Sequence, residues 1–148
     1  MKYALLAAGA AILAAVTPPA QAKGPVPGTT QGEVKLPETI TPLFKSELPN
    51  VPGKALIAVE VLFPPGAASP SHTHPKSAFI YAYVLSGEII SAVDDEKPRV
   101  YRPGESWHEA PGAHHPVTRN PSKTRPAKLL VIFVADPGEQ QLVFPDPE

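Results

Sequence analysis

The chain has 148 residues, 43% of them hydrophobic, with 13 Lys and Arg against 14 Asp and Glu, a net charge of −1. This length suits one domain with one hydrophobic core. Without a basic stripe, nucleic acid is not an expected partner. The absence of cysteine excludes disulfides and thiolate metal ligands.

Residues 1–22 have the features of a secretory signal peptide. Lys2 supplies the positive start, and residues 3–16 form an apolar run too short to span a bilayer as a helix. Ala-Gln-Ala at 20–22 is a small-x-small cleavage site, so we expect cleavage before Lys23 and export to the periplasm or the medium. After cleavage no membrane association is expected. The alternative is a retained N-terminal membrane anchor.

Residues 23–50 are predicted to form an extended Pro-rich arm, and residues 51–148 to form the folded domain. The arm holds five of the chain's 21 prolines and has little hydrophobic patterning. It is expected either to be a linker or to lie across a neighbouring surface. Most of the later prolines separate apolar runs, as turn residues do.

The rest of the chain predicts short strands. No segment after residue 22 keeps a 3.6-residue hydrophobic period over the length of a helix. Apolar runs bounded by Pro-Gly, Ser-Gly or polar turns predict strands over residues 54–63, 79–85, 88–93, 99–102, 105–110, 115–118, 128–135 and 141–144. This pattern indicates an all-β sandwich or barrel, and no repeat suggests a propeller or solenoid.

All five histidines fall in two short stretches. Ser-His-Thr-His-Pro contains His72 and His74, and Trp-His-Glu-Ala-Pro-Gly-Ala-His-His contains His108, His114 and His115. Side chains of an extended segment repeat every two residues, so His72 and His74 are expected to point the same way. A third imidazole from a distant strand would complete a set of nitrogen ligands that suits Zn, Fe, Ni or Cu.

These stretches resemble the two motifs of the cupin superfamily, in the right order and at the spacing of a small single-domain (cupin type-2, monocupin) member. The matching residues are Gly66-x5-His72-x-His74 with an apolar strand running into Gly87, and Gly104-x5-Ala110-Pro111-Gly112-x2-His115.

The resemblance covers about residues 55–135. It implies a double-stranded antiparallel β-barrel, jelly-roll-like and usually dimeric, with a metal inside the barrel mouth. It also implies that His72, His74 and His115 bind one divalent metal ion, which could be Fe, Mn, Ni, Cu or Zn. The Pro-rich arm would precede this barrel.

One expected ligand is missing from the first motif. The motif usually supplies a Glu seven residues before its closing Gly87, and that position holds Ile80. The site is therefore either a three-His centre, as in some thiol and ring-cleaving dioxygenases of the superfamily, or a barrel that binds its ligand without a metal. Glu109 and, less favoured, Glu60 are candidate substitutes, provided that either faces the barrel interior.

Four residues are candidates for contact with the metal ligands or for the pocket wall: His114, Glu109, Tyr81 and Tyr83. His114 should face away from its neighbour His115. Tyr81 and Tyr83 share one strand face, where packing against another sheet or a dimer partner is favoured over a pocket wall. No catalytic residue is assigned.

The expected function is that of an exported, homodimeric metal-binding cupin that acts on a small organic substrate in the barrel mouth. A metal-dependent enzyme is favoured, with dioxygenase-like oxidoreductase chemistry ahead of a lyase or isomerase. The alternatives are a protein that captures a small ligand or metal without turnover and a purely structural barrel. Because one barrel hosts many chemistries, the reaction class rests on the resemblance.

Overall fold

The computed structural model describes residues 37–147, so the predicted signal peptide and the first part of the predicted arm lie outside the described residues. The described part consists of strands and turns without a helix. Its strands are β1 (Thr39–Glu47), β2 (Ala55–Phe63), β3 (His72–Thr73), β4 (Phe79–Ser86), β5 (Ile89–Ala92), β6 (Arg99–Tyr101), β7 (Ser106–Glu109), β8 (His114–His115), β9 (Val117–Arg119), β10 (Ala127–Ala135) and β11 (Phe144–Pro145). Over these residues, no helical segment meets the length and hydropathy needed to cross a membrane.

The strands form a double-stranded antiparallel β-barrel built from three sheets. A five-stranded sheet has the order β1-β2-β10-β4-β7, and two three-stranded sheets have the orders β11-β3-β8 and β6-β5-β9. All pairings are antiparallel. The all-β barrel predicted from the sequence is confirmed.

The barrel core comes from the two long central strands. β2 and β10 alternate strictly between buried and half-buried positions, because successive side chains point to opposite faces of the sheet. Val59 and Phe63 on β2 thereby share the inner face with Val131 and Phe133 on β10. Burying each such side chain is worth roughly 1.5–3 kcal/mol, so this face is a main source of stability.

The first strand lies where the sequence predicts only an arm. β1 pairs with β2 from Thr39 to Glu47, with an irregularity between Pro42 and Phe44. The sheet thus begins at Thr39, within the segment that the sequence assigns to the extended arm. The strand went unrecognised because all nine of its residues are exposed, which leaves no alternation of buried and exposed positions to detect.

Gly87 closes the turn between β4 and β5. Its φ of +72° lies in the left-handed region. A Cβ atom here would also lie 2.7 Å from the backbone of Ala127 and from the carbonyl oxygen of Pro126. Only glycine satisfies both constraints, which brings β4 close to the start of β10.

Asn120 holds two loops together beneath the barrel wall. Its amide donates to the carbonyl oxygens of Phe63, Pro64 and Arg125 at 2.7–3.2 Å, and its Oδ1 accepts from the Ser122 amide at 2.9 Å. The side chain is 1% exposed. A buried amide that satisfies four backbone groups explains this polar residue as a structural tie, with no part in the site described next.

Candidate metal centre

The two histidine stretches meet in the three-stranded sheet β11-β3-β8. His72 on β3 is the direct cross-strand partner of His115 on β8, and His74 follows β3 directly. All three side chains are buried, and one ligand atom from each lies within 4.8 Å of the others. The antiparallel pairing brings together imidazoles that are about forty residues apart in sequence.

His72 and His74 have their rings oriented by backbone carbonyls. The Nδ1 atom of His72 donates to the Pro70 carbonyl at 2.8 Å, and that of His74 donates to the Leu142 carbonyl at 2.7 Å. A carbonyl only accepts, so Nδ1 carries the hydrogen in both rings. The Nε2 atom is thereby left free to bind a cation. A hydrogen bond from the other ring nitrogen to a carbonyl is the usual way in which a metal-binding histidine is oriented.

His115 is held by two hydroxyl groups. Its Nε2 lies 2.8 Å from Ser91 Oγ and 2.7 Å from Thr118 Oγ1, and both of these side chains are buried. Its Nδ1 lies 3.2 Å from Glu109 Oε1. Its ring thus presents Nδ1 to the carboxylate, whereas His74 presents Nε2.

Glu109 lies among these histidines, inside the barrel. It is 2% exposed; its Oε1 accepts from Trp107 Nε1 at 3.0 Å, and its Oε2 lies 3.0 Å from His74 Nε2. Despite that distance, Oε2 makes no hydrogen bond of acceptable geometry. Among the described residues, it is the one buried side-chain N or O atom without a hydrogen-bond partner. A buried anionic oxygen without a donor is the kind of group that a cation stabilises.

The charges in this cluster are strongly coupled. Burial by itself would raise the pKa of Glu109, but contacts with His115 and His74 outweigh it and hold that pKa well below its usual range. Burial would likewise lower the pKa of His74, but its contact with Glu109 raises it. Burial lowers the pKa of His72, with the neighbouring His74 and His115 adding to the effect. The histidines thus favour the charged form of Glu109, and Glu109 in turn favours the charged form of His74.

A cavity of about 200 Å³ opens onto the cluster. Apart from the metal-centre residues its wall is mostly aliphatic and aromatic, with polar side chains at Glu38, Ser69 and Thr118. No Lys or Arg is among the described residues that line it. The cavity is smaller than the roughly 300–1,000 Å³ of pockets for drug-sized ligands, so its occupant is small.

The other sequence-predicted residues lie elsewhere. His114 is half-buried on the opposite face of β8 from His115, where its Nε2 contacts Ser71 and Asp146. Tyr81 and Tyr83 are not among the residues that line the cavity. On β4 the inward positions are those of Ile80 and Ala82, so the tyrosines lie on the outer face, as the favoured packing role expects.

The two candidate carboxylates differ sharply. Glu60 lies on an outward position of β2 and pairs with Lys128 at 2.8 Å, away from the histidines. Glu109 contacts two of them. The structure thus brings together the three histidines and Glu109, and it adds Ser91, Thr118 and Trp107, which the sequence did not indicate. Single hydroxyls carry no spacing signal, although Trp107 and Glu109 share one face of a strand.

Comparison with known sequences shows the family. The Cupin_2 family, described as a cupin domain, matches residues 59–133, about half of the chain. The chain belongs to this cupin family, as its resemblance to the two motifs predicted. No curated protein matches its sequence.

Several solved structures are similar. TT1209 from Thermus thermophilus is 28% identical with a TM-score of 0.55, over 66% of this chain and 83% of that one. An oxalate oxidase in complex with the substrate analogue glycolate is 27% identical with a TM-score of 0.54, over 68% of this chain and 53% of the oxidase. The DMSP lyase DddQ from Ruegeria pomeroyi is 28% identical with a TM-score of 0.52, over 63% of this chain and 45% of the lyase. The chain spans about half the length of both enzymes.

The donor set fits a divalent metal. Three buried imidazoles converge, two have their other nitrogen fixed by carbonyls, and an unsatisfied carboxylate oxygen points into the same space. Imidazole suits Zn, Cu, Fe and Ni, and carboxylate suits Mn, so these residues could hold any of the ions that the sequence suggests.

Proposed function

We propose that the protein is a metal-dependent cupin enzyme that binds one divalent ion through His72, His74 and His115 and acts on a small organic molecule in the barrel. The observation that carries this proposal is the convergence of three buried imidazoles at the end of an apolar cavity. When bound, the metal supplies Lewis-acid or redox chemistry. Oxidoreductase chemistry of the dioxygenase type is favoured, supported by the similarity to an oxalate oxidase.

The protein's own residues would orient the substrate and exclude water. Phe133 packs beside the His74 ring, and Trp107 packs beside the His115 ring, so apolar surface surrounds the cluster. Water excluded from such a site strengthens the electrostatic interactions that remain. Pro70, Leu142, Ser91 and Thr118 would hold the imidazoles in place during binding.

The cavity wall favours a substrate with one metal-binding group and an apolar remainder. Without Lys or Arg among the described lining residues, a second anionic group would have no cationic partner beyond the metal. Val59, Val131 and Phe133 instead offer apolar contact. A dianionic substrate is therefore disfavoured, even though one similar structure is an oxalate oxidase.

Elemental analysis by mass spectrometry of the purified protein tests the metal centre. We expect about one equivalent of a divalent metal, lost when His72, His74 and His115 are all changed to Ala and retained in the control His108→Ala. A redox metal such as Fe, Mn, Ni or Cu would justify an oxygen-uptake screen. Zn would direct the screen to lyase and isomerase reactions. A metal-free protein that takes up none of these ions after reconstitution would contradict the proposal.

Capture of a ligand without turnover is the second candidate function. It is favoured because the carboxylate and the hydroxyl in contact with the cluster are already engaged: Glu109 contacts two histidines, and Thr118 contacts His115. The similarity to a DMSP lyase keeps a lyase in consideration. Stoichiometric binding of a ligand that is recovered unchanged would favour capture, and product formation would exclude it.

We further propose that the protein is a homodimer. The edge strand β1 exposes Ile40, Leu43 and Phe44, each more than half exposed, and an apolar edge of this kind is usually covered. Light scattering should give twice the monomer mass, and Phe44→Asp should halve it. The exposed Lys45→Ser is the control and should leave the mass unchanged.

Export to the periplasm or the medium is proposed from residues 1–22. Expression of the whole chain followed by N-terminal sequencing of the extracytoplasmic fraction should give Lys23 as the first residue. An uncleaved chain in the membrane fraction would support the retained anchor instead.

A further inference from the structure

We propose that Glu109 is a fourth protein ligand of this metal, so that the centre has three imidazole nitrogens and one carboxylate oxygen contributed by β7. This inference rests on the proposed metal centre and specifies its composition. A three-nitrogen site would leave Glu109 as a bystander, whereas its position and its unsatisfied oxygen give it a direct role.

The strand register places Glu109 beside Ile80, the position at which the first motif usually has its Glu. Glu109 on β7 is the direct cross-strand partner of Ile80 on β4, and both side chains are buried on the inner face. The Cβ atoms of such partners lie about 4.5–5.5 Å apart, a distance that one Glu side chain spans. A carboxylate from position 109 can therefore reach the same space as one from position 80.

The distances around Glu109 match those between ligands of one metal. Oε2 lies 3.0 Å from His74 Nε2, and Oε1 lies 3.2 Å from His115 Nδ1. Metal–nitrogen and metal–oxygen bonds of about 2.1 Å at right angles place two donor atoms about 3.0 Å apart. Through Oε2, Glu109 is thus spaced from His74 as a second donor to the same ion would be, and its other oxygen lies beside His115.

A cation is also required by the hydrogen bonding of His74. Its Nδ1 hydrogen is committed to the Leu142 carbonyl, so in the neutral ring Nε2 carries only a lone pair. That lone pair would face an anionic oxygen at 3.0 Å, which is repulsive unless a positive charge lies between them. A divalent ion bound by both atoms supplies that charge.

An orienting role is the competing explanation for Glu109. However, the groups that orient the ligand imidazoles are already present: carbonyls on His72 and His74, and hydroxyls on His115. Glu109 instead faces nitrogen atoms that these groups leave free. An orienting carboxylate would also be expected to use both oxygens as acceptors, yet Oε2 has no well-formed hydrogen bond.

The test compares Glu109→Gln with the matched control Glu60→Gln, which changes the same residue type on the outer face of the same sheet. Glutamine keeps the size of the side chain and can donate to a neutral His74, so an orienting role would survive the change. Affinity is measured for Mn²⁺ by electron paramagnetic resonance of the free ion and for Zn²⁺ by competition with a chromophoric chelator. Circular dichroism verifies the fold of each variant.

We expect Glu109→Gln to weaken Mn²⁺ binding by about 100-fold or more. Changing a residue that only orients a metal ligand usually costs about 10–100-fold. Zn²⁺ should lose less, because carboxylate suits Mn²⁺ and imidazole suits Zn²⁺. Glu60→Gln should leave both affinities unchanged. Mn²⁺ affinity of Glu109→Gln within threefold of the wild type would overturn the inference.

A relocated carboxylate gives a second, independent test. In the double variant Ile80→Glu/Glu109→Gln the carboxylate returns to β4, and Mn²⁺ affinity should recover at least tenfold relative to Glu109→Gln. If the single variant does not fold, the double variant decides by itself: Mn²⁺ binding near that of the wild type supports the inference, and its absence overturns it.

Failure of this inference is distinguishable from failure of the proposed metal centre. If the wild type binds metal, His72→Ala abolishes binding and Glu109→Gln does not weaken it, only the role of Glu109 is wrong. If the wild type binds none of these ions, both the metal centre and the inference are wrong.

Discussion

Two histidine–carboxylate pairs of similar length lie in very different surroundings. His74 Nε2 is 3.0 Å from Glu109 Oε2, and His114 Nε2 is 2.8 Å from Asp146 Oδ2. The side chains of the first pair are 4% and 3% exposed, and those of the second are 44% and 37% exposed. Water screens the electrostatic interaction within the second pair. In the first pair, burial removes that screening, so its interaction depends on a positive charge between the two side chains. Burial, more than distance, therefore distinguishes the two pairs.

The largest expected contrast is in metal binding. His74→Ala should weaken the binding of Zn²⁺ roughly 1,000-fold, about 4 kcal/mol. The loss is large because the variant lacks a metal ligand, and not only a residue that orients a ligand. His114→Ala should change it less than twofold, because His114 faces away from the cluster. Isothermal titration calorimetry with Zn²⁺ measures both. Equal losses in the two variants would mean that the buried pair has no special role.

The next largest contrast is in the stability of the metal-free protein, where loss of Glu109 should cost more than loss of Asp146. Glu109→Ala should lower the free energy of unfolding by about 3 kcal/mol, because removing one member of a buried pair leaves the other uncompensated. Asp146→Ala should leave the urea midpoint unchanged, since its pair is exposed. A shift of the same size in both variants would show that burial does not distinguish the pairs.

The hydroxyl partners offer a smaller and closely matched contrast. Ser91 Oγ contacts His115 in the buried cluster, and Ser71 Oγ contacts His114 outside it. Ser91→Ala should weaken Zn²⁺ binding about tenfold, because the imidazole loses an orienting partner. Ser71→Ala should leave it unchanged. The same titration checks this, and a tenfold loss in Ser71→Ala would contradict it.

The smallest expected contrast concerns pH. In the folded protein the pKa of Glu109 is lowered from its usual 4.5. As the pH falls, Glu109 therefore takes up a proton in the unfolded chain before it does so in the folded protein, and the folded protein loses stability. Between pH 6 and pH 4 this should cost the metal-free wild type about 1 kcal/mol more than Glu109→Gln, which cannot take up that proton. Urea unfolding at both pH values measures the difference.

Asp146 is the reference for this pH experiment. Its hydrogen bonds with Ser71 and His114 lower its pKa from 3.8, so its contribution is lost only at still lower pH. Asp146→Asn should therefore follow the wild type from pH 6 to pH 4. If Glu109→Gln also follows the wild type over that range, the carboxylate is not held in its charged form by the histidines.

The histidine cluster was predictable to the extent that local spacing determines it. His72 and His74 are separated by one residue on an extended segment, and His115 stands at motif spacing from Pro111-Gly112. The strands β2 and β10 were also predictable, because their strict alternation reflects one buried face. The exposed strand β1 was not, since no hydrophobic period marks it.

The carboxylate shows where sequence reasoning ends. Glu60 is an acid within an apolar run and Glu109 lies near the second motif, but neither stands where the first motif expects a Glu. A shift of one residue in strand register exchanges the inner and outer faces, so the direction of each side chain depends on pairings made far along the chain. The pairing of β4 with β7 turns Glu109 inward, and that of β2 with β10 leaves Glu60 beside Lys128.

The all-β class, most of the strands and turns, and the three histidines could be predicted from local patterns, because two-residue alternation, Pro-Gly turns and histidine spacing are local properties. Other features became visible only in the folded barrel: Glu109 faces His74 and His115, Tyr81 and Tyr83 lie on the outer face, and Asn120 ties two loops. These features arise where distant strands meet. Their register is set by the packing of the whole barrel and is not encoded within any one segment.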